Sequence, residues 1–251
     1  MGSGKTGEKV DLSKFDAILF DLDGVLTGTA RVHAKCWKKM FDEYLEKLAR
    51  KTGEPSVPFD ADADYKLYVD GKPRMEGVQS FLESRGIDLP FGSHDDAPDQ
   101  ETICGLGNRK NEFFREVLAE DGVDVFQSSV DLTRRLLEKG IRMAVVSSSK
   151  NCEAILDAAG IKDLYEFWID GNKALKLNLR GKPEPDTFLK AAEMMGVEPA
   201  RAVVVEDAIS GVQAGHKGKF GLVVGIARHG DAKALSENGA DIVVADLKEF
   251  L

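Results

Sequence analysis

The chain has 251 residues, of which 43% are hydrophobic, and its formal net charge is −9. This length allows one large domain or two small ones, and the apolar content excludes general disorder. The acidic balance argues against nucleic acid or an anionic membrane surface as the main partner, and no apolar stretch is long enough to span a bilayer. The three scattered cysteines indicate reduced thiols, which favours a cytoplasmic location.

Residues 1–14 are predicted to form a flexible tail ahead of the first strand. Gly4-Lys5-Thr6 is similar to the end of a phosphate-binding P-loop, but the earlier glycine and the preceding strand are both missing. The same stretch lacks the apolar core of a secretory signal. We therefore assign no function to this segment.

A short apolar strand is predicted over residues 15–21, and it leads into Asp21-Leu22-Asp23-Gly24. Strand side chains alternate, so Asp21 and Asp23 can share one side while Leu22 turns back into the core. Open α/β sheets bind their ligands at the carboxyl ends of their strands. Asp-x-Asp-Gly also occurs in plain turns. The pair thus favours a divalent cation site or a nucleophile with an acid, without excluding a turn.

The segment from 30 to 122 shows no run typical of a buried strand. Helices are predicted over residues 30–50, 74–85 and 109–121, with loops over 51–64 and 87–108. Asp60, Asp62 and Asp64 alternate like the start of a calcium loop, but the required later glycine and glutamate are absent. We expect a helical cap over residues 30–122, inserted into a core formed by residues 15–29 and 123–251.

Strands and helices alternate in the remainder of the chain. Strands are predicted over 141–146, 167–169, 202–205, 222–226 and 241–244, and helices over 130–139, 152–159, 186–195 and 210–216. This alternation is typical of βαβ units and a parallel sheet. The predicted fold class is therefore α/β, with a Rossmann-like parallel sheet.

Four polar clusters follow predicted strands or lie beside them: Asp21 with Asp23, residues 147–151, Lys182, and Glu206 with Asp207. The carboxyl ends of parallel strands line one edge of a sheet, so these side chains are expected to converge. Acids, a hydroxyl and a lysine together can attack, move protons and neutralise negative oxygens.

These four motifs, in this order over residues 15–226, resemble the haloacid dehalogenase (HAD) superfamily. The helical segment after the first motif is most similar to the β-phosphoglucomutase-like group. The resemblance implies that Asp21 is a nucleophile that forms an aspartyl-phosphate, and that Asp23 is the general acid and base. It also implies that Ser147 holds the transferring phosphoryl group and that Lys182 stabilises its charge and orients Asp21. An acid at position 23 favours phosphoryl chemistry over dehalogenation, because it can carry a proton.

The resemblance also implies a Mg²⁺ site, formed by Asp21, the main-chain carbonyl of Asp23, and Asp207 with Glu206 beside it. Glu206 is either a direct ligand, a ligand through water, or a support for Asp207. The serine assignment is ambiguous by one position among residues 147–149, and Ser147 is preferred because it directly follows the strand. Lys182 could also be an ordinary loop lysine.

Cap and core residues similar to substrate contacts of the mutase group form a second set: His33, Trp37, Arg74, Lys110, Ser149, Lys150 and Asn151. In that group the histidine links substrate binding to cap closure, and the arginine grips the distal phosphate. The alternative for Arg74 and Lys110 is a solvated helix charge, and the alternative for His33 is a packing residue.

The chain departs from the pattern at three places. Gly28 stands where the family usually has an acidic residue, Gly77 stands where the mutases tend to carry serine, and the cap is longer over residues 51–70 and 88–104. These differences bear on sugar specificity and leave the core motifs intact.

The expected function is Mg²⁺-dependent hydrolysis of a small phosphorylated metabolite such as a sugar phosphate. The alternative is a β-phosphoglucomutase, which converts β-glucose 1-phosphate to glucose 6-phosphate and differs in whether water or a sugar hydroxyl reaches the phosphoenzyme. A catalytically idle binding module is a further alternative. A monomer is compatible with the sequence, which does not determine the oligomeric state.

Overall fold

The computed structural model describes residues 10–228 and 232–251. Its centre is a parallel sheet of six strands in the order β3-β2-β1-β4-β5-β6. The strands are β1 Ala17–Phe20, β2 Arg142–Val146, β3 Trp168–Ile169, β4 Ala202–Glu206, β5 Leu222–Ile226 and β6 Ile242–Val244. The predicted α/β fold class is confirmed.

The strand register brings the polar clusters to one level. Phe20 of β1 aligns with Val145 of β2 on one side and with Val205 of β4 on the other. The residues that follow these three positions therefore emerge together at the carboxyl edge of the sheet.

Helices cover both faces of the sheet, which is why its strands are continuous apolar runs. These helices are α4 Gln127–Glu138, α5 Cys152–Ala158, α6 Gly171–Lys176, α7 Asp186–Met195, α8 Ile209–Lys217 and α9 Ala232–Glu237. Strand alternation divides the core into two apolar clusters. Ile18 and Phe20 belong to one cluster, and Ala17 and Leu19 belong to the other.

The segment between β1 and α4 is helical and has an apolar cluster of its own. It contains α1 Ala30–Thr52, a π-helical turn Tyr65–Val69, α2 Arg74–Ser84 and α3 Ile103–Asp121. The Phe41 ring lies 4.2 Å from the Phe81 ring and 5.1 Å from the Phe59 ring, centroid to centroid. This separate cluster supports the proposed division into a cap, residues 30–122, and a core.

The predicted loop over 87–108 is wrong at its end, because α3 begins at Ile103 instead of residue 109. The Thr102 side chain accepts a hydrogen bond from the Gly105 amide and caps the helix. Gly105 and Gly107 weaken the helical signal of this first turn. Gly105 is needed, since a Cβ there would lie 2.3 Å from the Gln100 carbonyl oxygen, whereas a Cβ at Gly107 would lie 2.4 Å from the sulfur of the flexible Met75 side chain.

The predicted tail is also too long. Leu12–Lys14 form a 3₁₀ turn, and Leu12 is buried in the core. Residues 1–9, which include Gly4-Lys5-Thr6, lie outside the described residues.

Cys36, Cys104 and Cys152 are buried free thiols. Among the helices described, none is long and apolar enough to cross a membrane.

Candidate active site

Lys182 is the buried cation at the centre of the carboxyl edge. Its Nζ lies 2.5 Å from Asp21 Oδ1 and 2.5 Å from Glu206 Oε1, and it donates to the Val146 carbonyl at 2.9 Å. Its side chain is 1% exposed. The alternative of an ordinary loop lysine is therefore wrong.

The buried charges around Lys182 shift the pKa values of Lys182 and Asp21. Burial disfavours the Lys182 ammonium, but Asp21 and Glu206 outweigh that penalty and raise the pKa of Lys182 above its usual value. Burial raises the pKa of Asp21 well above its usual value, and Lys182 opposes that shift while Glu206 and Asp23 add to it. Lys182 is thus the group that favours the ionised form of Asp21.

Three carboxylates at this edge form a candidate metal centre. Oxygens of Asp21, Glu206 and Asp207 all lie within 4.8 Å of one another. Burial, followed by neighbouring carboxylates that include Asp21, raises the pKa of Asp207 well above its usual value. Such a set of oxygen donors, with Asp21 and Glu206 buried and Asp207 partly buried, is suited to a hard divalent cation such as Mg²⁺, which would relieve the repulsion.

Two glycines allow this close packing of carboxylates. Gly24 has φ +86°, and a Cβ there would lie 1.7 Å from Asp207 Oδ2. A Cβ at Gly211 would lie 1.9 Å from the Glu206 carboxyl carbon. The backbone therefore approaches both carboxylates at distances that only glycine allows.

The Asp23 carboxylate faces the cap instead of the metal trio. It accepts a hydrogen bond from Thr29 Oγ1, and His33 Nε2 lies 3.4 Å from its Oδ1. Burial alone would raise the pKa of Asp23, but His33 and Thr29 lower it below the usual value. This arrangement leaves the main-chain carbonyl of Asp23 as its candidate metal ligand, as the family resemblance implies.

His33 connects Asp23 to Lys110. Lys110 Nζ lies 2.5 Å from His33 Nδ1, and the His33 ring stacks on Phe114 at a centroid distance of 4.2 Å. Burial and Lys110 lower the pKa of His33, which favours the neutral ring. With Lys110 as donor to Nδ1, the ring proton resides on Nε2 and faces Asp23.

Lys110 is buried, with 4% exposure, and lies 5.0 Å above the Trp37 ring. Burial lowers its pKa to about 7, and Arg74 contributes to that shift. The alternative of a solvated helix charge is therefore wrong for Lys110. Arg74 is half-buried, its Nη2 donates to Asn108 at 3.4 Å, and its buried Nε has no hydrogen-bond partner.

One cavity joins most of the residues that the sequence singles out. It is lined by Asp21, Asp23, His33, Trp37, Arg74, Lys110, Ser147, Ser149, Lys150, Asn151 and Asp207. Lys182 and Glu206 do not line the cavity, and both are buried with 1% exposure. The predicted catalytic, metal and substrate residues are thus brought together at the junction of cap and core.

The serines after β2 make different contacts, Ser147 within its own loop and Ser148 with the cap. Ser147 Oγ accepts from the Ser149 amide at 3.1 Å and faces the cavity. Ser148 Oγ donates to the Gly71 carbonyl of the cap at 2.8 Å. Ser148 is therefore engaged by the cap, which supports Ser147 as the phosphoryl-binding hydroxyl. Asn151 Nδ2 donates to Asn111 Oδ1 at 2.8 Å, a second link between core and cap.

The sequence did not single out Tyr65, Asp70, Lys72 or Asn111, which also line the cavity. Tyr65 begins the π-helical turn, and Asp70 follows it directly. No periodicity in the chain indicates a π-helix, so this part of the site had no sequence signal.

Comparison with known proteins gives a consistent result. Residues 15–218 match the haloacid dehalogenase-like hydrolase family. The chain is 50% identical over 241 residues to the β-phosphoglucomutase of Mycobacterium tuberculosis. This alignment covers 95% of this chain and 92% of the relative. The β-phosphoglucomutase of Bacillus subtilis is 31% identical over 93% of this chain and 91% of its own length.

Solved structures give a similar result. The crystal structure of β-phosphoglucomutase from Clostridium difficile superimposes with a TM-score of 0.74 at 26% identity. The superposition covers 94% of this chain and 93% of that chain. The fold is therefore shared with that enzyme over nearly the whole length.

Proposed function

Because the chain belongs to the haloacid dehalogenase-like hydrolase family, we propose that it is a Mg²⁺-dependent β-phosphoglucomutase that acts through a phosphoenzyme on Asp21. The relatives favour this alternative over the hydrolysis expected from the sequence, since the 50% identical relative carries that name. Glucose monophosphates are then the small phosphorylated partners. Cytoplasmic location and the oligomeric state stay predictions.

The observation that carries this proposal is the connection between the proton-transfer residue and the cap. Asp23 contacts His33 of α1, and His33 contacts Lys110 of α3, so both residues of this relay come from cap helices. Cap closure and proton transfer are thereby coupled. A closed cap excludes water, so a sugar hydroxyl becomes the favoured acceptor of the phosphoryl group.

In the first half-reaction, an Asp21 carboxylate oxygen attacks phosphorus and the bond from phosphorus to the sugar oxygen breaks. Asp23 donates a proton to that leaving oxygen. Lys182 holds Asp21 through the 2.5 Å contact, and Ser147 faces the same cavity. When bound by Asp21, Asp207 and the Asp23 carbonyl, Mg²⁺ supplies charge neutralisation for the phosphoryl oxygens.

In the second half-reaction, a hydroxyl of the sugar monophosphate attacks the aspartyl-phosphate and regenerates the Asp21 carboxylate. Asp23 now accepts the proton of that hydroxyl, and the product is a sugar bisphosphate. Return to a monophosphate repeats the first half-reaction on the other phosphate. Arg74 and Lys150 provide positive charge in the cavity for the phosphate that is not reacting.

Hydrolysis is the second candidate, because the same phosphoenzyme is attacked by water when the cap is open.

The test measures both products from β-glucose 1-phosphate with a glucose bisphosphate primer and Mg²⁺. We expect glucose 6-phosphate to form with little inorganic phosphate. Inorganic phosphate release equal to substrate consumption would overturn the mutase proposal. Asp21→Asn is the control, and it is expected to abolish both products.

A further inference from the structure

The cap contributes a carboxylate that lies outside the four strand-end motifs. Asp70 follows the π-helical turn Tyr65–Val69, and its amide donates to the Tyr65 carbonyl at 3.0 Å. Its side chain lines the same cavity as Asp21, Asp23 and Asp207. π-Helical turns are rare and occur frequently at functional sites.

The backbone at Asp70 packs on the loop that carries the metal carboxylates. Ser210 Oγ donates to the Asp70 carbonyl at 3.1 Å. The next residue, Gly71, has φ +66°, and a Cβ there would lie 2.3 Å from Ser210 Oγ and 2.9 Å from Ala208 Cβ. Because Ala208 directly follows Asp207, the cap backbone is fixed against the metal loop in this closed arrangement.

Tyr65 lines the same cavity as Asp70. Interaction with the Tyr65 hydroxyl lowers the pKa of Asp70 and so favours its ionised form. Burial, followed by the charge of Glu206, raises the pKa of Asp70 to about 7. Asp70 in turn contributes to the raised pKa of Asp207. Asp70 also lines a second cavity together with Gly24 and Asp207, which places its carboxylate beside the trio, where the like charges repel one another when no cation is present.

We propose that Asp70 is a cap-borne, outer-sphere ligand of the divalent cation, contacting the cation through a bound water. Among the described residues, the group of carboxylate oxygens within 4.8 Å comprises Asp21, Glu206 and Asp207, and Asp70 is not a member. A water-mediated contact accounts for this difference. The inference rests on the Mg²⁺ site of the proposed function.

A physical consequence follows for cap closure. Without a cation, closure brings Asp70 toward three other carboxylates and is opposed by their repulsion. With a cation, the same carboxylate is attracted, so cation binding and cap closure favour each other. Thermodynamic linkage requires that a closed cap also strengthens cation binding.

The test measures Mg²⁺ affinity of the full chain by calorimetry in the absence of any substrate. Asp70→Asn is expected to weaken Mg²⁺ binding about tenfold, the scale seen when an outer-sphere partner of a metal is lost. Tyr65→Phe is expected to weaken binding by a smaller factor in the same direction. Asp62→Asn is the matched control, because Asp62 lies on the same segment and its side chain is 84% exposed; its Mg²⁺ affinity should equal that of the wild type.

A second readout separates this role from a merely structural one. Removing a like charge should leave metal-free Asp70→Asn at least as heat-stable as the metal-free wild type. Added Mg²⁺ should slow amide hydrogen exchange over residues 65–73 in the wild type and not in Asp70→Asn. Unchanged Mg²⁺ affinity in Asp70→Asn, or an equal loss in Asp62→Asn, would overturn the proposal. Neither readout requires turnover, so absence of mutase activity would not affect this result.

Discussion

Replacing Lys182 by Met is the perturbation with the largest expected effect. The Lys182 side chain is 1% exposed and neutralises two carboxylates, each at 2.5 Å. Met has a similar length and no charge, so the change removes the ammonium while retaining most of the packing. The buried carboxylates of Asp21 and Glu206 then lose their cation.

Breaking a buried ion pair by removing one partner costs about 3–5 kcal/mol. We expect Lys182→Met to lose that much free energy of unfolding at pH 7 in the absence of Mg²⁺. Burial already raises the pKa of Asp21, and loss of Lys182 raises it further. Between the ordinary carboxyl pKa and the raised pKa of Asp21, the folded variant binds more protons than the unfolded chain. The stability of Lys182→Met therefore falls as the pH rises over that range.

The assay is urea unfolding at pH 5.5 and pH 7 in the presence of a chelator. The stability difference between wild type and Lys182→Met should be smaller at the lower pH. Lys190→Met is the matched control, because Lys190 makes a 2.7 Å ion pair with Glu193 near the surface. That control should change stability by less than about 0.5 kcal/mol. Equal stability of Lys182→Met and wild type at both pH values would refute this account of the site.

Three further changes test other parts of the site. Burial lowers the pKa of Lys110 to about 7. The folded protein therefore binds fewer protons than the unfolded chain between pH 7 and 10. Over that pH range the stability of the wild type should rise relative to that of Lys110→Met. Urea unfolding should show a relative gain of roughly 3 kcal/mol between pH 7 and 9.5, and parallel pH profiles would contradict it. Gly24→Ala should displace Asp207 and raise the Mg²⁺ concentration for half-activity at least about tenfold. Gly53→Ala is the control, because Gly53 also has a positive φ but has nothing within 4 Å, and it should leave that Mg²⁺ concentration unchanged. Arg74→Lys should raise KM for glucose bisphosphate with little change in kcat, because the point charge loses bidentate phosphate binding; a fall in kcat alone would argue against that role.

The sheet and its catalytic edge could be predicted from local signals. Apolar runs such as 202–205 end in carboxylates, and the parallel-sheet rule places those ends together. The structure brings Asp21, Ser147 and Asp207 to one cavity accordingly. Residue type and position relative to a strand were sufficient for this part of the site.

The remainder depends on tertiary packing that leaves no periodic signal. Gly105 and Gly107 lie in the first turns of α3 and obscure its start, although Gly105 is required by a close backbone contact. Tyr65 and Asp70 reach the cavity through a π-helical turn, whose hydrogen-bond spacing has no corresponding apolar pattern. The burial of Lys110 is equally invisible in sequence, because lysine on a helix is usually solvated.

The fate of the phosphoryl group on Asp21 tests the central claim most directly. The protein is labelled with a radioactive phosphoryl group from glucose bisphosphate, and the phosphoenzyme is then mixed with excess glucose 6-phosphate or with buffer in a single turnover. With the sugar, most of the label should appear in glucose bisphosphate. With buffer alone, the label should be lost slowly as inorganic phosphate. The Asp21→Asn variant should take up no label. Release of the label as inorganic phosphate at the same rate with and without the sugar would contradict the account.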